Sequence, residues 1–154
     1  MTDLKSFLAE SNRIEGILRE PTHEEIETAA AFLELDVVAT SDIENIVSIF
    51  QPNAKLRSRV GMNVRVGSYC PPGGGRMIEI ELIKLLKRAI RGYHSAFTIH
   101  HDYEKLHPFT DGNGRSGRMI WAWMMTQQDV DRDWLRRGFL HTWYYQTLEN
   151  GRRP

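Results

Sequence analysis

Apolar residues recur at helical spacing through most of this chain, and at period two in one stretch only. A chain patterned this way is confined to a helical fold with at most a small β element. Leu4, Phe7, Leu8, Ile14 and Leu18 form one stripe, predicting a helix over residues 3–20 limited by Pro21. Thr22-His23-Glu24-Glu25 reads as a capping box opening a second helix, with Ile26, Ala29, Ala30, Leu33 and Val37 as its buried face. Ser41-Asp42-Ile43-Glu44 opens a third, with Ile43, Ile46, Val47 and Phe50 inside and Pro52 as its stop. Ile80, Ile83, Leu86, Ala89, Ile90 and Tyr93 predict a helix over 78–92, broken at Gly92 from one carrying Ala96, Ile99, Tyr103 and Leu106. A further helix starts near Asn113 and carries Met119, Ile120, Trp123 and Met124. Leu135, Phe139 and Trp143 predict a last one ending near Asn150-Gly151. Against this, Val60, Met62, Val64 and Val66 alternate with Gly61, Asn63 and Arg65, which predicts a β-hairpin within 57–70. The expected fold is mainly α, a helical bundle with one hairpin, in a single domain spanning residues 1–154.

Charge narrows the partners. Lys plus Arg number 20 and Asp plus Glu number 20, so no basic excess argues for nucleic acid. Cys70 is the one cysteine and makes no internal disulfide. The N-terminal residues lack the apolar run of a signal peptide, and no stretch has the length of a membrane span. A cytoplasmic soluble domain is the expectation. Cys70-Pro71-Pro72-Gly73-Gly74-Gly75 reads as a loop with no phosphate role. His100 and His101 lack zinc-helix spacing and read as core or supporting residues. Trp121 and the Trp143-Tyr144-Tyr145 cluster read as packing, and Arg152-Arg153-Pro154 as a tail.

The chemistry concentrates in residues 107–118, His-Pro-Phe-Thr-Asp-Gly-Asn-Gly-Arg-Ser-Gly-Arg. His107 is placed to take a proton, and Asp111 is a ligand for a hard cation. Gly112, Asn113 and Gly114 allow close backbone approach just before a helix whose first N–H groups are unpaired, an arrangement that favours anions. Arg115 and Arg118 lie three apart, on one face of the first turn, and carry the forked donors suited to phosphate. The run reads as a polyphosphate cradle with a base and a metal ligand beside it. A second feature lies far upstream. Ser11 and Glu15 fall inside the apolar stripe of the first helix. A buried carboxylate needs a partner, so Glu15 either meets a cation or polar cleft or reaches solvent at the stripe's edge.

The run at 107–118 matches H-P-F-x-D-G-N-G-R-x-x-R at every fixed position and resembles the motif of the Fic family. The resemblance implies a Fic-type helical bundle that transfers AMP from ATP to a Ser, Thr or Tyr hydroxyl of a target protein. By the same resemblance His107 is the catalytic base and Asp111 holds Mg²⁺ against the α- and β-phosphates. Gly112, Asn113 and Gly114 then make the anion hole, Arg115 reads phosphate and Arg118 takes the γ-phosphate. Doc-type kinases carry Lys where this chain has Gly114, which favours nucleotide transfer here. Ser11-Asn12-Arg13-Ile14-Glu15-Gly16 matches the family's inhibitory motif, (S/T)-x-x-x-E-(G/N), in which the Glu pairs with the second motif Arg, here Arg118. The resemblance also makes the hairpin a flap, with Val64, Arg65 and Val66 binding an unidentified protein target by strand addition. Another role for the hairpin is to cover the core. Other donors such as UTP or GTP, removal of AMP through Glu15, and a non-enzymatic binding module stay open, as does homo-oligomerisation.

Overall fold

The computed structural model describes residues 2–128 and 132–151, so the tail at 152–154 lies outside the described residues. Among the described residues eight helices stand in order: α1 Thr2–Ile14, α2 His23–Leu33, α3 Thr40–Phe50, α4 Arg76–Arg91, α5 Ala96–Leu106, α6 Asn113–Gln128, α7 Asp133–Arg137 and α8 Phe139–Gly151. No helix among them is long and apolar enough to cross a membrane.

Helix α6 is the axis of the bundle, packed against α1, α2, α3 and α5. Every residue from Arg115 to Met124 is buried. A helix apolar all round belongs in a core, and the second half of α6 meets that description through Met119, Ile120, Trp121, Ala122, Trp123 and Met124. Its first turns are buried yet polar, which is unusual for Arg; these turns carry the site. An aromatic cluster anchors α1 to this axis. Phe7 stands edge-on to Trp134 at 5.7 Å, and Trp121 edge-on to Phe139 at 4.9 Å, a favoured ring geometry. The Glu10 carboxylate accepts from the Phe139 N–H at 2.6 Å and so caps the start of α8.

Several boundaries differ from the sequence expectation, each for a local reason. Helix α1 ends at Ile14, six residues before the expected end at 20. Gly16, at φ +76°, donates to Arg13 O at 3.0 Å, and Ile17 donates to Asn12 O at 2.9 Å. That bond pair is a Schellman closure, with glycine in the left-handed position. The stripe therefore shortens to Leu4, Phe7 and Leu8, joined by buried Ser11 and Asn12, while Ile14 and Leu18 are exposed. At α2, Thr22 Oγ1 accepts from the Glu25 N–H at 3.1 Å, but the Glu25 carboxylate turns to Arg19 instead of closing the box. In α3 the cap shifts to Ala39, whose N–H donates to Asp42 at 2.8 Å. Ile78, Leu82, Leu85, Leu86 and Ala89 form the inner face of α4, and Ile83, Ile90 and Tyr93 are exposed. Gly138, at φ +95°, divides the expected last helix into α7 and α8, and only Trp143 of the C-terminal aromatic trio packs on the core.

The largest correction concerns 57–70, which forms no β-hairpin. Among the described residues the β pairing consists of isolated bridges, Leu56 with Phe109 and Val66 with Tyr69. Alternation makes a strand when it buries one face against a layer. Here Val60 and Val66 are exposed, and Gly61 and Gly67 take φ of +93° and +59°, outside strand geometry. The segment is held instead by single contacts to the loop after α5.

Candidate active site

Three elements meet at the start of α6. Helix α5 delivers His107 as its C-cap residue, at φ 50° and ψ 61°, with its N–H bonded to Tyr103 O. A non-glycine residue in the left-handed region carries strain that its surroundings must hold. Arg57 is a large part of that hold: its guanidinium donates to His107 O at 2.7 Å and Leu106 O at 2.9 Å. Between α5 and α6, Tyr103 OH meets Ser116 Oγ at 2.6 Å, and Ser116 Oγ donates to Gly112 O at 2.8 Å. Asn113 closes the loop by a two-way contact, accepting from Phe109 N at 2.9 Å and donating to Phe109 O at 2.8 Å. Its side chain is thus spent on the turn, and its main chain is what remains for a ligand.

The loop, α6 and the end of α1 enclose a cavity of about 480 Å³, lined by His107, Thr110, Asp111, Gly112, Asn113, Gly114, Arg115, Gln51, Glu15, Ile17, Val64 and Arg65. Asp111 is exposed and receives the Gly112 N–H at 2.8 Å on one oxygen. Arg115 is buried, lies over the Phe50 ring at 5.4 Å and donates to Gln51 Oε1 at 3.2 Å. Its Nε and Nη1 have no hydrogen-bond partner. Buried unpaired donors on a cation are costly, and an anion in the cavity is what they suit. Burial pushes the His107 imidazole below its ordinary range, so at neutral pH it is an uncharged acceptor.

Glu15 forms one wall. Its carboxylate accepts from Arg118 Nη2 at 2.7 Å. Arg118 is buried, with Nε on Ser11 Oγ at 2.7 Å, Nη2 on Ser11 O at 3.0 Å, and the Phe139 ring 5.9 Å away. Of the two openings for Glu15, the structure selects the cation, because the Schellman turn aims the residue just after α1 at α6. Glu15 also lies so close over Gly114 that a Cβ there would collide with its carboxylate. Gly16 takes no part in the cavity wall; it turns the chain that places Glu15. Of the expected target-binding residues, Val64 and Arg65 line the cavity, whereas Val66 pairs with Tyr69 outside it. His100 is buried beside Phe139, and no cluster of metal-ligand type occurs among the described residues.

Sequence reading missed Arg57, Gln51 and Glu104. Nothing local distinguishes Arg57 from its exposed neighbour Arg59 or Gln51 from any residue at a helix end. Glu104 stands one turn before His107, and burial, only partly opposed by the nearby Arg118, pushes it up to about 7.

These features define a helical core around a cavity at a loop and helix start. The chain matches the Fic/DOC family over residues 6–125, most of its length, and belongs to that family. Members generally transfer nucleotide-derived groups to proteins. No curated protein matches it, and no solved structure does. Ser11, Glu15 and the whole 107–118 run fall within the matched span.

Proposed function

We propose that this chain transfers AMP from Mg-ATP to a hydroxyl side chain of a target protein, and that Glu15 holds the activity down. One observation carries the reading: His107, Asp111, the 112–115 turn and Glu15 on Arg118 converge on a single cavity. The orphaned Arg115 donors and the Gly114 gap fit a polyphosphate. Asp111, with a carboxylate oxygen uncommitted, would hold Mg²⁺, which when bound supplies charge neutralisation at the phosphates.

The target hydroxyl gives its proton to the neutral His107 imidazole. Its oxygen attacks the α-phosphorus in line, the bond from that phosphorus to the bridging oxygen breaks, and pyrophosphate leaves. Arg115 stabilises phosphate charge during the displacement. Gly114, in place of the Lys of Doc-type kinases, favours attack at the α- rather than the γ-phosphorus. In the resting protein Glu15 occupies Arg118, where the γ-phosphate would otherwise bind, so ATP settles in an unproductive pose.

Self-labelling with ATP radiolabelled at the α-phosphate tests this. Wild type should label weakly, Glu15→Gly strongly, and Glu15→Gly combined with His107→Ala weakly again. Loss of the base is expected to cost about 10²–10⁴-fold. Equal labelling of folded wild type and Glu15→Gly would remove the inhibition and leave the transfer reading in place.

A further inference from the structure

Arg57 is fully buried, at 0% exposure, and all of its side-chain acceptors are backbone carbonyls. Two of those carbonyls, on Leu106 and His107, end α5. The other two, on Met62 at 3.1 Å and Pro72 at 2.8 Å, stand on either side of the Val64-Arg65 segment. The main chain repeats the pattern: Arg57 N–H donates to Pro108 O, and Arg57 O accepts from Gly75 N–H, both at 2.9 Å. Six hydrogen bonds thus join the catalytic loop to both ends of the 58–75 loop through one residue. The 58–75 loop has no ladder of its own, so its place relative to His107 depends on these contacts and a few others, among them the Tyr69 hydroxyl on Lys105 O at 2.9 Å.

We infer that Arg57 is a positioning residue. It sets the separation between His107 and the Val64-Arg65 wall across the cavity, and so the point where an acceptor hydroxyl meets the base. The planar guanidinium is what allows this, since its fork reaches four carbonyls in different directions; the compact lysine ammonium does not. The phosphate side of the cavity is shaped by the Asn113–Phe109 clamp and the first turn of α6, in which the Arg57 side chain makes no bond. Misplacement by Arg57 therefore affects transfer and not nucleotide binding. The inference rests on the reading of His107 as the base.

The test uses the full chain in the Glu15→Gly background, with Arg57→Lys and Arg57→Gln. ATP binding is measured by calorimetry, which returns both affinity and the fraction of molecules competent to bind. Self-labelling rates are then expressed per competent molecule. A misplaced reacting group costs about 10- to 100-fold in rate, so Arg57→Gln should fall by that much and Arg57→Lys by less, with ATP affinity within about twofold in both. Rates per competent molecule that match the parent in both variants would overturn the inference. So would losses of rate and competent fraction in equal proportion, which mark a structural role only. A readout free of catalysis is the ring C–H resonance of His107. It should shift or split in both variants, while the amide resonances of Gly112 and Gly114 stay in place; an unmoved His107 signal counts against the inference. If His107→Ala keeps full labelling in the same background, the base reading fails, and the His107 resonance still decides whether Arg57 holds that ring.

Discussion

Arg118 shows how the exposure of an acceptor, more than its charge, sets what a contact contributes to stability. Three contacts hold it, and they differ in exposure: Ser11 is buried at 4%, while the Glu15 side chain is 39% exposed. The Arg118 end is buried but the Glu15 carboxylate is open to water, which can stand in for it, so the pair contributes less than a fully buried one. A buried donor stripped of its acceptor costs about 1–3 kcal/mol, with more for charged groups. Ser11→Ala should therefore lower stability by about 1–3 kcal/mol. Glu15→Gly should lower it by about 1 kcal/mol or less, even though Glu15 carries the charge. Urea unfolding of the two variants reads the order, and a larger loss from Glu15→Gly would show that the ion pair is far better shielded than its exposure indicates. If Glu15 inhibits as proposed, Ser11→Ala raises self-labelling less than Glu15→Gly, since it leaves that carboxylate in place.

At the scale of elements, the end of α1 is the part that places Glu15. The body of α1 is fixed by Leu4, Phe7 and Leu8 in the core and by Glu10 on α8. Its last turn is held by Arg118 on Ser11 and, beyond Ile14, is closed by Gly16, where nothing lies within 4 Å of a built Cβ. Gly16→Ala is thus a backbone change without a clash. Placing a side chain in the left-handed region costs about 1–2 kcal/mol. That cost falls on the turn that aims Glu15. The expected outcome is a small loss in melting temperature together with raised self-labelling. Unchanged labelling, with stability reduced, would mean that Glu15 reaches Arg118 without help from the Schellman turn.

Across the whole molecule, two groups on α5 set opposing pH slopes. Burial pushes His100 down to about 3, so in the folded state it stays neutral where the unfolded chain would take a proton below its ordinary 6.5. Stability is then lost as pH falls below about 6.5. Burial pushes Glu104 up to about 7 from an ordinary 4.5. The folded state holds that proton between about 4.5 and 7, so stability falls as pH rises through this window. Between roughly 4.5 and 6.5 the two slopes oppose, each at most about 1.4 kcal/mol per pH unit and less for the part-exposed Glu104. Glu104→Gln removes one of them while keeping a polar group beside His100 Nε2, 3.5 Å from Glu104. A series of urea midpoints should rise with pH from about 4.5 to 6.5 in the variant and stay flatter in the wild type. Identical pH profiles would show that Glu104 titrates normally in the fold.

Helix content was legible in the chain because helical spacing and caps are local: α3 buries Ile43, Ile46, Val47 and Phe50 as their spacing dictates. The 107–118 run was legible because loop and helix start are contiguous in sequence, so His107, Asp111 and Arg115 reach one cavity through a single turn. The presence of a carboxylate in the α1 stripe was visible as well, as a group in need of a partner. Which partner it has, Arg118 at a separation of 103 residues, was a matter of how α1 docks on α6. Tertiary structure alone decided the rest. A period-two pattern in 60–66 carries no strand where no layer covers one face. The inner face of α4 depends on where α5 lies. And an arginine at position 57 looks like any solvated cation until the fold closes two loops around it, because the carbonyls that hold it come from segments up to 50 residues away.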